Sequence, residues 1–249
     1  MIMKIFYNNK QSGIKTNTPS SEKAQLFIDE LKINFNKKIE IISNFDLLNK
    51  SDIALAHSTQ YINDILNNNK SNGYHLFNKD IIKKIELDIA FFFYASMDAW
   101  INKSVTCSPT SAFHHAGYDF SGGFCTFNGL IITAQLLKLN FNIDRIAIVY
   151  LDIHHGNGTE DIIKKLGLNY IDHFSLEKEL KKYKTNEELM NNLEYAIFNK
   201  IDQADIILYQ AGADPHINDP LGGLLTTEQM YQRDLILFKL TKEMDVPLV

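Results

Sequence analysis

Residues 146–161 read IAIVYLDIHHGNGTED, and the fold follows from how this stretch is read. The near-continuous apolar run over residues 143–153 has the composition of a strand buried on both faces of a parallel sheet. Asp152 and His154 stand where that strand ends, which is where open α/β sheets place their sites. Gly156-Asn157-Gly158 then turns the backbone toward a helix for which Thr159 is a suitable N-cap.

The same alternation extends outward in both directions. Residues 4–7 and 38–42 are β-like, and 21–34 has helical spacing after Pro19, with Ser20 and Ser21 as candidate caps. Helices are expected over 57–67, 80–101 and 128–139, with a short strand at 104–107. Beyond the opening stretch, strand 168–174, helix 186–200, strand 205–210 and helix 226–244 lead to residues 246–249, which read as the start of another strand. This order predicts an α/β protein, doubly wound around a mainly parallel central sheet, with all 249 residues in one domain.

Composition narrows the class of function. Hydrophobic residues make up 45% of the chain, which supports a packed globular fold. A formal net charge of −5, with no Lys/Arg run, argues against a nucleic-acid or anionic-membrane surface, so the expected ligand is small or a modified side chain. Cys107 and Cys125 are too few for a disulfide framework, which points to a reducing cytoplasm. The N-terminal MIMKIFYNNK turns polar before a signal-peptide core forms, and the most apolar stretch, 89–99, is shorter than a membrane span. A soluble, unexported protein is expected, and no pattern specifies its oligomeric state.

Side chains two apart on a strand share a face, so Asp152 and His154 can address one ion while His155 points away. Asp214 ends the second strand in the same manner, and Pro215 biases it toward an extended conformation. One imidazole and two carboxylates suit Zn²⁺ with positions left for water and a substrate oxygen. Two carboxylates also leave the ion less electrophilic than neutral imidazoles would, so its water needs a neighbouring base. The adjacent His114 and His115, in a Gly-rich loop, are the candidates for that acid/base work. His57 reads as structural, His75, His173 and His216 carry no partner pattern, Cys125 reads as a small core residue, and Asp219 as a turn residue.

These segments resemble the histone deacetylase and acetylpolyamine amidohydrolase family. SPTSAFHHAGYDFSGGFCTFNG (108–129) is similar to its histidine-pair loop, LDIHHGNGTED (151–161) to its Asp-x-His-His-Gly strand end, and AGADPHINDPLGG (211–223) to its second Asp segment, with weaker support from AHSTQYI (56–62). The resemblance implies an arginase/deacetylase-like three-layer fold and zinc-dependent hydrolysis of an acetyl-lysine, acetylpolyamine or other acylamine. It makes Asp152, His154 and Asp214 the zinc ligands, His114 and His115 the catalytic histidines with His115 the principal base, and Gly123 and Phe124 part of the acyl channel. Four features depart from the family pattern, one being the stretch between Phe174 and Asp205, which looks shorter than the family's and shows no recognisable glycine-containing channel loop. Tyr150 stands where an Asp usually supports the first histidine and a monovalent cation, Asn157 stands where some members have Asp, and the expected Gly-Gly-Tyr segment after a strand near Val246 is absent, as in a truncated chain. A catalytically weak zinc- or acyl-binding protein is the alternative of a different class. A Mn²⁺ ureohydrolase ranks lower, because Gly156 occupies the position two beyond His154 where a bridging Asp is needed.

Overall fold

The computed structural model describes residues 2–14, 16, 18–111 and 113–249, which fall into two compact units. One comprises Met1–Asn142 with Asn157–Leu168 and Val249, the other Ile143–Gly156 and Asn169–Leu248.

The first unit holds strands β1 (Met3–Phe6), β2 (Ile39–Ile42) and β3 (Thr106–Cys107), paired in parallel in the order β2-β1-β3. Its helices are α1 (Lys23–Phe35), α2 (Lys50–Ile53), α3 (Thr59–Leu66), α4 (Lys79–Asn102), α5 (Gly129–Phe141) and α6 (Asn157–Leu166). Ile5 and Tyr7 pack with Ala24 and Ile28 of α1 into an apolar cluster. Polar side chains start the main helices by accepting free backbone N–H groups of the first turn: Ser58 for α3, Asn78 for α4 and Asn128 for α5. Lys103 and Asn142 end α4 and α5 in the left-handed region. Ser20 and Ser21 do not cap α1. They lie in a 3-10 turn, Pro19–Ser21, and the Ser21 hydroxyl donates to the Ile14 carbonyl at 2.7 Å, leaving Glu22 at the cap position without a side-chain bond. Thr159 is likewise not a cap, since α6 begins at Asn157 and carries Thr159 in its first turn.

The second unit holds β4 (Ile146–Tyr150), β5 (Ile171–Ser175) and β6 (Ile206–Gln210), paired in parallel in the order β5-β4-β6. All five β4 residues are buried, as a strand with neighbours on both edges and cover on both faces must be. Helices α7 (Leu176–Leu180), α8 (Asn186–Ile201) and α9 (Thr227–Glu243) accompany the sheet, with α8 capped by Thr185 and α9 by a reciprocal Thr226/Gln229 capping box. The strand expected over 246–249 is present as a parallel bridge between Leu248 and Ile207, whose N–H donates to the Pro247 carbonyl. The molecule is thus an α/β protein whose named strands all pair in parallel, and no helix among the described residues is long and apolar enough to cross a membrane.

His57 joins three segments of the first unit. Its Nδ1–H donates to the Gly117 carbonyl at 2.9 Å, and its Nε2 accepts the Asn128 N–H at 2.8 Å. Complete burial lowers its pKa to about 4, so the ring stays neutral and keeps this donor/acceptor pattern. An imidazole with a depressed folded-state pKa stabilises the fold above its unfolded value near 6.5, and that contribution drains away as pH falls toward 4. About 3 kcal/mol is at stake over that window at 1.36 kcal/mol per unit. His57→Gln is therefore expected to lower stability at neutral pH yet flatten the acid limb between pH 6.5 and 4, as read by denaturant titrations across that range.

Candidate metal centre

Parallel pairing sets Tyr150 opposite Gln210, and the Leu151 N–H adds one more ladder bond to the Gln210 carbonyl at 3.2 Å. The chain segments leaving β4 and β6 therefore emerge side by side. Asp152, His154 and Asp214 converge there, with one ligand atom of each lying within 4.8 Å of the others. Asp214 accepts from the Ile153 N–H at 3.1 Å through Oδ1, while its Oδ2 lies 2.6 Å from His154 Nδ1. Asp152 accepts from the His154 N–H at 3.1 Å and, on its other oxygen, from Gln210 Nε2 at 2.6 Å.

Two glycines make this proximity sterically feasible. A Cβ on Gly212 would lie 2.0 Å from Asp152 Cβ, and one on Gly222 would lie 1.5 Å from the Asp214 carbonyl oxygen. Neither could be accommodated without moving a ligand residue. Burial, and then the charge of Asp214, push the Asp152 carboxyl up to about 7. A divalent ion between the two carboxylates and His154 Nδ1 would offset both effects, so the donor set fits a metal of the zinc type.

His155 faces elsewhere, with Nδ1 3.9 Å from Glu177 Oε2. Tyr150 is buried, and its ring meets His173 edge-on at 4.7 Å between centroids. A Cβ on Gly156 would fall 2.4 Å from Tyr150 Cε2, so no bridging carboxylate fits at that position beside this tyrosine. The loop after Asp214 is closed by its own residues. The Asn218 N–H donates to His216 Nδ1, His216 Nε2 lies 2.9 Å from Thr227 Oγ1, and the Asp219 carboxylate accepts the Leu221 N–H as a turn residue.

In the first unit the histidine-pair loop is held by hydrogen bonds from several segments. The His114 carbonyl accepts the Thr159 N–H at 3.1 Å, and Asn128 Nδ2 donates to the Ala116 carbonyl at 3.0 Å and to Thr159 Oγ1 at 2.8 Å. Upstream, Ser111 takes a bond from the buried Lys84 at 2.9 Å, and Lys84 in turn pairs with Asp88 at 2.5 Å. His114 is buried, and its ring lies 4.0 Å from that of His115. His115 Nδ1 is 2.6 Å from Asn157 Oδ1, an arrangement that places the proton on Nδ1 and the basic lone pair on Nε2. Gly123, at φ +49°, lies against His115, where a Cβ would be 2.3 Å from ring Cδ2. Phe124 follows at φ +63°, uncommon for a bulky residue, and its N–H is held by the Gly73 carbonyl.

The sequence-derived residues thus form two groups: the three proposed ligands in one unit, and His114, His115, Gly123 and Phe124 in the other. Gln210, Gly212 and the contact made by Asn157 were not anticipated. The one available signal was an amide at the end of an otherwise apolar strand.

Residues 18–166 match the family model described as "Histone deacetylase domain". The chain is 29% identical over 156 residues to "Histone deacetylase 2" of Arabidopsis thaliana, an alignment covering 55% of this chain and 40% of the relative. It is 46% identical over 61 residues to "Acetylpolyamine amidohydrolase" of Mycoplana ramosa, covering 24% of this chain and 17% of that protein. An uncharacterized protein of Methanocaldococcus jannaschii is 26% identical over 273 residues, covering 92% of this chain and 77% of its own length. The chain therefore spans less than half of the plant deacetylase that it matches.

Gly212→Ala should drive Asp152 out of line. The expected result is a folded protein whose metal content after purification falls well below one equivalent, measured by elemental analysis beside Gly122→Ala, whose added methyl meets only one atom, 3.9 Å away.

Proposed function

Since the chain belongs to the histone deacetylase family, we propose that it hydrolyses the amide of an N-acylated amine, of the acetyl-lysine or acetylpolyamine kind, using zinc held by Asp152, His154 and Asp214. The observation that carries this reading is the convergence of those three side chains at the ends of two paired parallel strands. When bound, zinc would polarise the acyl carbonyl and make a water more acidic. The rest is work for the chain's own groups. His115, oriented through Nδ1 by Asn157, takes a proton at Nε2 and returns it to the departing amine, with His114 as its partner. Gly123, which has no side chain to crowd the His115 ring, and Phe124 line the passage for the acyl-bearing chain.

We read the chain as one deacetylase-type domain that works in the cytoplasm. Relatives named for acetylpolyamine hydrolysis and for histone deacetylation both support an acylated amine as substrate. A second reading, zinc-dependent acyl binding with slow turnover, draws support from Tyr150. This buried phenol stands where the family resemblance leads to an Asp, and it brings no negative charge to that position. The crowding of Gly156 by Tyr150 counts against a two-metal ureohydrolase.

The purified chain is expected to hold about one zinc, lost in Asp152→Ala and in Asp214→Ala, and to release acetate from an acetyl-lysine peptide or an acetylated polyamine. His115→Ala should keep its zinc while kcat falls by about 10²–10⁴. A zinc-loaded protein that is inert toward both substrates would favour the binding reading, and a folded protein without metal would end both.

A further inference from the structure

The ladder between β4 and β6 stops at the bond from Leu151 to Gln210, one residue before the first proposed ligand. Past that point the backbone still carries the Leu151 and Gly212 carbonyls, and a buried carbonyl without a donor costs free energy. The donor comes from α9. Arg233, only 1% exposed, directs Nη1 at both oxygens, 2.5 Å from Leu151 O and 2.8 Å from Gly212 O. Its Nε and Nη2 grip the Asp234 carboxylate at 2.8 and 2.7 Å, so the buried guanidinium is both paired and hydrogen-bonded. Asp234 also accepts the Tyr209 hydroxyl at 2.5 Å. Successive residues on a strand point to opposite faces, and β6 uses this: Tyr209 is anchored to α9, whereas Gln210 bonds Asp152. Burial keeps the Tyr209 phenol protonated, and so a donor.

We infer that Arg233 is a positioning residue that sets the separation of the two ligand-bearing strand ends, and so the size of the metal site, by replacing the ladder bonds that the diverging strands no longer make. The inference rests on the proposed zinc reading and deepens it: α9, which carries no ligand, determines how well zinc binds. Leu151 adjoins Asp152, and Gly212 packs against Asp152 Cβ, so relaxing the clamp alters the ligand geometry directly. A lysine could reach one carbonyl but cannot hold both while forming a two-nitrogen grip on Asp234.

The test compares zinc dissociation constants, from chelator competition on the folded 249-residue chain, with the visible spectrum of the cobalt-substituted form. Arg233→Met and Arg233→Lys are expected to weaken zinc by about 10–100-fold, the range for partners that orient metal ligands, and to shift the cobalt bands. Leu193→Ala, a cavity in the buried face of α8, controls for general loss of stability: its thermal midpoint should fall while zinc affinity stays within about threefold of wild type. If both Arg233 variants fail to fold, Tyr209→Phe decides, with at least a threefold weakening expected. Wild-type zinc affinity and unchanged cobalt bands in the folded variants overturn the inference. A wild-type protein that binds no zinc overturns the metal reading instead.

Discussion

The parallel register that sets Tyr150 beside Gln210 is the constraint on which the candidate centre depends. Asp152 and His154 lie in the bend that leaves β4 after Tyr150, so a slip in the pairing would carry both away from the segment that holds Asp214. All five β4 residues are buried, and the strand is paired on both edges, to β5 and to β6. The centre is thus an outcome of core packing: the hydrophobic contacts that fix β4 between β5 and β6 also fix where two carboxylates and an imidazole meet.

The two units organise their chemistry in contrasting ways. Around the proposed ligands the groups are charged and crowded, with like charges close together, glycines where a methyl would collide, and a buried guanidinium beneath the strand ends. The histidine-pair loop, by contrast, is held in part by neutral groups: an imidazole that burial keeps uncharged, an asparagine that caps a helix and also donates to a carbonyl, and a second asparagine that sets a tautomer. Such an arrangement suits each task. A cation gains from converging negative charge, and an imidazole held through one nitrogen by an amide oxygen keeps the other nitrogen as acceptor.

What the sequence disclosed was whatever depends on periodicity and strand ends. The apolar run before Asp152 locates a buried strand, and the second Asp segment follows a strand of the same kind; Asp152 and His154, expected to share a strand face, lie instead in the bend after Tyr150 and converge there. Thr159 shows where local reasoning fails. Its residue type suits a cap, yet its N–H is taken by the carbonyl of His114 and the helix begins at Asn157. Ser21 fails for a similar reason, since a carbonyl seven residues earlier claims its hydroxyl. Gln210, Gly212 and Arg233 escaped notice because their roles exist only through space. The crowding of Gly212 is measured against a residue sixty positions away, and Arg233 serves carbonyls that carry no sequence signature.

The path of the chain bears on the order in which the molecule can be made. The first unit is interrupted by 143–156 and resumes only with the segment that contains α6. His115 and the asparagine that orients it lie 42 residues apart. At synthesis rates of about 5–20 residues per second, the histidine loop would leave the ribosome roughly 2–8 s before its partner exists. During that interval the nascent loop has His57 and Asn128 to bond but lacks α6, so neither unit can be completed as an uninterrupted stretch of the growing polypeptide.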